Sequence, residues 1–124
     1  MKALIVEDDS FLLSAYRLKL EGMGYEIKEA LDGNEALSIL GAWTPDVVIL
    51  DLMLPNVDGF DFLAKMKAED RWKNTPVLVA SNLGQREDID KAMVLGAAGY
   101  VVKSDLTLSE LVEKINTLVP KKEA

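Results

Sequence analysis

The feature that most constrains this chain is a run of four apolar residues, 47–50, that ends on the carboxylate of Asp51. An apolar run of this length predicts a β-strand buried on both faces, as in a parallel sheet covered by helices. Asp51 would then stand at the carboxyl edge of the sheet, where open α/β folds place their ligands. A lone Asp after a strand is more often a turn or helix-cap residue, so this interpretation depends on other groups at the same edge.

Apolar runs and helical patterns alternate along the rest of the chain. Strands are predicted at residues 3–6, 25–28, 47–50, 76–80 and 99–102, and a segment with helical apolar spacing follows each one. Five repeats of strand then helix predict an α/β fold: a doubly wound, five-stranded parallel sheet, (βα)5, with helices on both faces. Asn34 is expected to cap the second helix. The first helix is expected to bury a wide apolar stripe, formed by Phe11, Leu12, Ala15, Tyr16, Leu18 and Met23.

Composition limits the function classes. The length of 124 residues allows one domain with a substantial core, and 14 basic against 21 acidic residues give a net charge of −7. That charge argues against a nucleic-acid surface, which needs a basic patch. The chain has no Cys and no His, so thiolate and imidazole metal sites are excluded. The amino terminus is too short for a signal peptide and no run reaches a membrane span, so a cytoplasmic protein without membrane contact is expected.

Four of the predicted strands end on groups that can carry chemistry. Glu7 and Asp8 follow the first strand, Asp51 the third, Ser81 the fourth and Lys103 the fifth. Two carboxylates about 4 Å apart repel by roughly 4 kcal/mol at an effective dielectric of about 20, so a cation must lie among them. Lys103 supplies one positive charge, and Mg²⁺ with its preference for oxygen ligands is the cofactor expected to supply the rest.

An acid cluster with Mg²⁺, a lysine and a hydroxyl is suited to phosphoryl transfer, because cations neutralise the phosphoryl oxygens while a nucleophile attacks in line. Asp51 is the candidate nucleophile, forming an aspartyl phosphate. Ser81 is a candidate donor to the phosphoryl group once it is bound.

Four segments in this order and spacing resemble the receiver domain of two-component response regulators, in particular the stand-alone chemotaxis-type receivers. The resemblance runs from about Lys2 to Leu118 and implies a flavodoxin-like sheet with strand order 2-1-3-4-5. It places a receiver domain at residues 1–119 and a short tail or start of a linker at 120–124. The segments are Val6-Glu7-Asp8-Asp9, Ile49-Leu50-Asp51-Leu52-Met53-Leu54-Pro55 with Asp58-Gly59, Val79-Ala80-Ser81, and residues 96–103 from Gly96 to Lys103.

The resemblance implies a role for each matching residue. Asp51 is the phospho-acceptor, Lys103 contacts the phosphoryl group, Ser81 moves toward it, and Tyr100 then swings inward. Asp9 is more simply a helix cap. The implied Mg²⁺ ligands are Glu7, Asp8, Asp51 and the backbone carbonyl of Met53.

The chain departs from the family pattern near the site. Ser104 replaces the usual Pro after the lysine, which predicts a trans peptide bond there and a differently shaped loop. Asn82 stands where a small residue is commoner. Met53 and Leu83 are apolar at positions that tune the lifetime of the phosphoryl group in this family.

The implied function is a phospho-acceptor signalling switch of a phosphorelay. A sensor histidine kinase or phosphotransfer protein donates the phosphoryl group, and the domain catalyses only its own phosphorylation and dephosphorylation. The face formed by the fourth helix, fifth strand and fifth helix then alters its binding to a downstream protein or effector domain, or forms a phosphorylation-dependent dimer.

Two alternatives stay open. A receiver-like scaffold would bind partners without phosphorylation, although such a scaffold would be expected to lack one of the key residues. A Mg²⁺-dependent phosphohydrolase with an Asp nucleophile usually carries a second Asp at the position that Met53 occupies here. A flavodoxin-type FMN carrier shares the topology, but the acids at 7–9 would repel its phosphate.

Overall fold

The computed structural model describes residues 1–119, which form alternating strands and helices. The strands are β1 (Lys2–Val6), β2 (Glu26–Ala30), β3 (Val47–Leu50), β4 (Val77–Ser81) and β5 (Gly99–Val102). The helices are α1 (Ser10–Gly22), α2 (Gly33–Leu40), α3 (Gly59–Ala68), α4 (Arg86–Val94) and α5 (Leu108–Leu118), with a 3-10 turn at Lys103–Asp105. The tail or linker predicted at 120–124 lies outside the described residues.

The five strands form one parallel sheet in the order β2-β1-β3-β4-β5. The predicted fold class and strand order are therefore confirmed. Val6 of β1 pairs with Leu50 of β3, and Leu50 pairs with Val79 of β4. This register brings the residues that follow β1 and β3 side by side at the carboxyl edge.

Alternate residues of the three central strands, β1, β3 and β4, enter two separate cores, one on each face of the sheet. In β3, Val48 and Leu50 pack with α2, α3 and α4, whereas Val47 and Ile49 pack with α1 and α5. All four residues are almost fully buried. A strand covered on both faces has no polar face, which explains why its sequence is a continuous apolar run.

The stripe predicted for α1 is only partly correct. Leu13, Tyr16 and Leu20, spaced i, i+3 and i+7, form the buried face. Phe11 and Leu18 are 81% and 80% exposed and Met23 is 45% exposed, so the predicted burial of these three residues was wrong. Because α1 carries apolar residues around much of its circumference, its spacing did not fix which side faces the sheet.

The cap predicted for α2 was also wrong. Asp32, not Asn34, is the N-cap: its backbone is extended, with φ −151° and ψ 175°. Its Oδ1 accepts from the Glu35 amide at 2.8 Å. Asn34 lies inside the first turn.

Within residues 1–119, none of the helices has the length and apolar character that crossing a bilayer requires.

Candidate functional site

The site begins where the two central strands end. The Asp51 amide donates to the Val6 carbonyl at 3.0 Å, which continues the β1–β3 ladder by one residue and aligns Asp51 with Glu7. Carboxylate oxygens of Glu7, Asp8 and Asp51 all lie within 4.8 Å of one another. Glu7 and Asp51 are buried, whereas Asp8 is exposed. The structure thus brings together the three acids that the sequence placed at this edge.

Lys103 reaches this acid cluster from the end of β5. Its Nζ donates to Glu7 Oε2 at 2.6 Å and to Asp51 Oδ2 at 2.8 Å. The three side chains are only 11%, 4% and 8% exposed. One ammonium group therefore bridges two buried carboxylates, which offsets only part of the negative charge.

Burial dominates the electrostatics of Glu7 and raises its pKa to about 7; the Lys103 hydrogen bond opposes this shift, and the Asp51 charge adds to it. For Lys103, burial alone would lower the pKa, but the hydrogen bonds to Asp51 and Glu7 outweigh it and raise the pKa. A poorly solvated carboxylate favours either a proton or a cation.

The donor set fits Mg²⁺. It consists of three carboxylates at short range, and the exposed Asp8 leaves the cluster open to solvent. Mg²⁺ is usually held by one or two carboxylates together with waters and phosphate oxygens, and it does not require nitrogen or sulfur ligands. The Met53 amide donates to Asp51 Oδ1 at 3.0 Å, so the backbone of Met53 is tied to this cluster.

Asp9 is a helix cap, as predicted. Its Oδ1 accepts from the amides of Phe11 and Leu12 at 3.0 and 3.2 Å. The Asp9 amide in turn donates to Glu7 Oε1 at 3.3 Å. The cap therefore helps to orient Glu7.

Ser81 and Tyr100 meet at the loop between β4 and α4. Ser81 is fully buried, and its Oγ accepts from the Leu83 amide at 3.3 Å. The Tyr100 hydroxyl donates to the Leu83 carbonyl at 2.5 Å. Burial raises the pKa of Tyr100, with the charges of Asp88 and Asp51 adding to the effect. The backbone of Leu83 thus links the two residues.

The departures from the family pattern lie around this edge. Ser104 lies in the 3-10 turn, and residues 1–119 contain no cis peptide bond, which agrees with the predicted trans geometry. Asn82 is exposed beside Ser81, and Met53 is 58% exposed. Leu83 is partly buried against the core.

Sequence reasoning missed two features of the site. Tyr16 was assigned only to the apolar stripe, but it also lines a cavity of about 90 Å³ that Lys103 borders. Burial raises the pKa of Tyr16 to about 12. The second feature is a hydrogen bond from Asn56 to Asp32 at 2.8 Å. The Pro-Asn pair at 55–56 indicates a turn, but no local pattern pointed to a partner 24 residues away.

Comparisons with known proteins agree with this geometry. The family model described as "Response regulator receiver domain" matches residues 3–116. A DNA-binding dual master transcriptional regulator, RpaA of Synechocystis sp., is 31% identical over 118 residues, which cover 95% of this chain and 48% of that protein. The chain thus spans about half the length of this relative.

Solved structures give the same match. The chemotaxis response regulator CheY4 of Vibrio cholerae has a TM-score of 0.88 and 28% identity, with 95% of this chain and 98% of that chain covered. The phosphorylated cyanobacterial phytochrome response regulator RcpA has a TM-score of 0.82 and 30% identity, covering 94% of this chain and 89% of that chain.

Proposed function

The chain belongs to the family of response regulator receiver domains of two-component systems, and from this premise we propose that it is a phosphorylation switch whose acceptor is Asp51. One observation carries the proposal: Asp51 lies in a cluster of three acids and already accepts a hydrogen bond from Lys103. A nucleophilic carboxylate beside a bound cation is what aspartyl phosphate formation requires.

The transfer step follows from the charges at the cluster. A carboxylate oxygen of Asp51 attacks phosphorus, and the new O–P bond forms as the bond to the donor breaks. With a phosphohistidine of a sensor kinase or phosphotransfer protein, the P–N bond breaks, and the ring nitrogen that keeps the electron pair takes up a proton from water to leave neutral imidazole. Lys103 is positioned to neutralise charge on the transferred group, because its ammonium already lies against Asp51.

Glu7, Asp8, Asp51 and the backbone carbonyl of Met53 would hold Mg²⁺. When bound, this ion supplies charge neutralisation for the phosphoryl oxygens. Glu7 is buried, so this carboxylate is poorly solvated, and a cation would compensate for the lost hydration.

The output depends on Ser81 and Tyr100. A phosphoryl group adds charge and acceptor oxygens at Asp51, which attract the Ser81 hydroxyl. Ser81 now accepts from the Leu83 amide, and the Leu83 carbonyl holds Tyr100. A shift of Ser81 therefore changes the loop that positions Tyr100, and it alters the face formed by α4, β5 and α5.

The proposed partners follow from this switch. The altered face binds a downstream protein, an effector domain or a second copy of the chain, and the domain acts in the cytoplasm. Its only catalysis is its own phosphorylation and the later hydrolysis of its phosphoryl group.

The test is intact-mass measurement after incubation with acetyl phosphate, with and without Mg²⁺. The parent chain should gain one phosphoryl group only with Mg²⁺, and Asp51→Asn should gain none. Asp9→Asn is the matched control, because it removes a neighbouring charge but leaves an amide oxygen that can cap α1. This control should still be phosphorylated.

A parent chain that binds Mg²⁺ but takes up neither a phosphoryl group nor beryllofluoride would contradict the proposal. It would favour the scaffold that binds partners without phosphorylation. A phosphoryl group that persists in Asp51→Asn would instead place the acceptor elsewhere.

A further inference from the structure

The loop between β3 and α3, residues 52–58, carries both Met53 and an unusual backbone geometry. Asn56 has a φ of +68°, and among residues 1–119 it is the one non-glycine residue with positive φ. Asn tolerates this conformation better than most residues, but a non-glycine residue in this region is uncommon and is held there by its surroundings. The question is therefore what holds Asn56.

Its partner lies at the start of α2. Asn56 Nδ2 donates to Asp32 Oδ2 at 2.8 Å, while Asp32 Oδ1 accepts from the Glu35 amide at 2.8 Å. One carboxylate thus caps α2 with one oxygen and holds the loop with the other. The hydrogen bonds from the Glu35 amide and from Asn56 lower the pKa of Asp32.

Packing supports the same connection. Gly33, the first residue of α2, lies so close to Val57 that an added Cβ would be 2.7 Å from the Val57 Cβ. At the other end of the loop, the Gly59 amide donates to the Leu52 carbonyl at 3.2 Å. The loop is therefore held at its end by Gly59 and against α2 by Asn56 and Val57.

We propose that Asp32 and Asn56 are positioning residues for the magnesium site. Their hydrogen bond, here called the Asp32–Asn56 brace, fixes the loop so that the Met53 backbone stays at the acid cluster. The Met53 amide, bonded to Asp51 Oδ1 at 3.0 Å, shows that the loop already lies against the acceptor. The inference rests on the proposed function, because it assumes that this cluster binds Mg²⁺.

Two substitutions break the brace by different routes. Asn56→Gly removes the side-chain amide and adopts positive φ without strain. Asp32→Ser keeps an oxygen that can cap α2 but has no second oxygen for Asn56. Tyr25→Phe is the matched control: it removes a side-chain hydrogen bond, from Tyr25 to Asn116, that joins elements at the amino end of the sheet.

The first measurement is the Mg²⁺ dissociation constant, obtained by titrating each folded protein with MgCl₂ and following amide NMR signals. Groups that orient metal ligands typically contribute about 10- to 100-fold in affinity. Because the brace acts through the loop backbone and does not contact a ligand atom directly, its effect should lie at the lower end of this range. Each variant should therefore weaken Mg²⁺ binding by about 10-fold. The double variant should bind Mg²⁺ no more weakly than either single variant, because both substitutions remove the same hydrogen bond. Tyr25→Phe should bind like the parent.

The second measurement needs no metal. Hydrogen exchange of the Met53 amide should speed up in both brace variants and stay unchanged in Tyr25→Phe. Unchanged Mg²⁺ affinity in the brace variants, with a parent that binds Mg²⁺, would overturn the proposal and leave the bond a purely structural one. A parent that does not bind Mg²⁺ at all would instead overturn the proposed function. It would also overturn the proposed role of the Asp32–Asn56 brace in Mg²⁺ binding.

Discussion

A single ammonium group serves two buried carboxylates in this domain. Lys103 lies within hydrogen-bond distance of both Glu7 and Asp51, and all three side chains are almost completely shielded from water. Removing one partner of such a buried set leaves an uncompensated charge, which is costly. The same arrangement leaves net negative charge at the edge, which favours a divalent cation beside the lysine. Stability and the proposed phosphoryl chemistry therefore depend on the same three residues.

Tyr16 gives a prediction at the residue scale. Burial raises its pKa from 10.0 to about 12; the charge of Lys103 opposes this shift, and those of Glu7, Asp51 and Asp9 add to it. The folded state therefore favours the neutral phenol more than the unfolded state does. This stabilisation is complete below pH 10 and is lost as the pH rises from 10 to about 12. Two pKa units correspond to about 2–3 kcal/mol.

The free energy of unfolding, measured in urea across this pH range, should fall less steeply in Tyr16→Phe than in the parent. The absorbance titration of phenolate should lose its last-titrating component in the same variant. If the parent and Tyr16→Phe lose stability in parallel above pH 10, the Tyr16 hydroxyl does not carry this effect.

The residues that the sequence could place at the candidate site are those at strand ends. Asp51, Ser81 and Lys103 each follow an apolar run, and in a parallel sheet such positions share one edge. Asp32 and Asn56 could not be paired in this way, because their hydrogen bond depends on how α2 lies against the loop after β3. The same limit explains the wrong cap, since Asp32 and Asn34 are both good N-cap residues and local preference does not separate them.

At the scale of elements, the start of α3 packs closely against the backbone that follows β3. A Cβ on Gly59 would lie 2.5 Å from the Leu52 Cα and 3.0 Å from the Asp51 carbonyl oxygen. Both contacts are backbone atoms, which cannot move aside as a flexible side chain can. The start of α3 therefore crosses directly over the peptide that follows Asp51.

Gly59→Ala should accordingly lower the free energy of unfolding by about 2 kcal/mol or more, because the added Cβ would overlap backbone atoms that cannot move aside. Gly22→Ala is the matched control: nothing lies within 4 Å of its added Cβ, and it sits in the last turn of α1. This control should be neutral or more stable by about 0.4–1 kcal/mol, through the reduced entropy of the unfolded chain. Urea unfolding of both variants checks the prediction. Equal changes in the free energy of unfolding in Gly59→Ala and Gly22→Ala would contradict it.

The orientation of α1 shows where periodicity alone fails. Its sequence has apolar residues at 11, 12, 13, 15, 16, 18 and 20, so more than one face could have been buried. The structure buries Leu13, Tyr16 and Leu20 and leaves Phe11 and Leu18 in solvent. Which face is covered depends on how the helix packs against β2 and α5, and this is tertiary information. For β3 the problem does not arise, because both faces are buried.

At the scale of the whole molecule, the alternation of strand and helix was sufficient to predict a parallel sheet. A parallel connection needs a crossover, and right-handed crossovers place helices on both faces. The order of the strands did not follow from this alternation, because it depends on which edge each crossover takes. It came from the resemblance to receiver domains, and the structure confirms it.

The last prediction concerns coupling between the acid cluster and the face of α4, β5 and α5. Beryllofluoride with Mg²⁺, as a mimic of the phosphoryl group, should stabilise the domain by about 2.7 kcal/mol at a ligand concentration 100 times its dissociation constant. Amide hydrogen exchange should slow both around Asp51 and along β5 and α4, because Ser81 and Tyr100 share the Leu83 backbone. Asp51→Asn should show neither effect.

Tyr100→Phe separates the binding of beryllofluoride from the transmission of its effect to β5 and α4. It removes the hydroxyl that donates to the Leu83 carbonyl but leaves Glu7, Asp8 and Asp51 intact. This variant should bind beryllofluoride with nearly the parent affinity and lose most of the slowing in β5 and α4. If the parent shows slowed exchange only near Asp51, the domain binds the mimic without switching. If Tyr100→Phe matches the parent throughout, the signal reaches α4 and β5 by a route that does not need the bond between Tyr100 and Leu83.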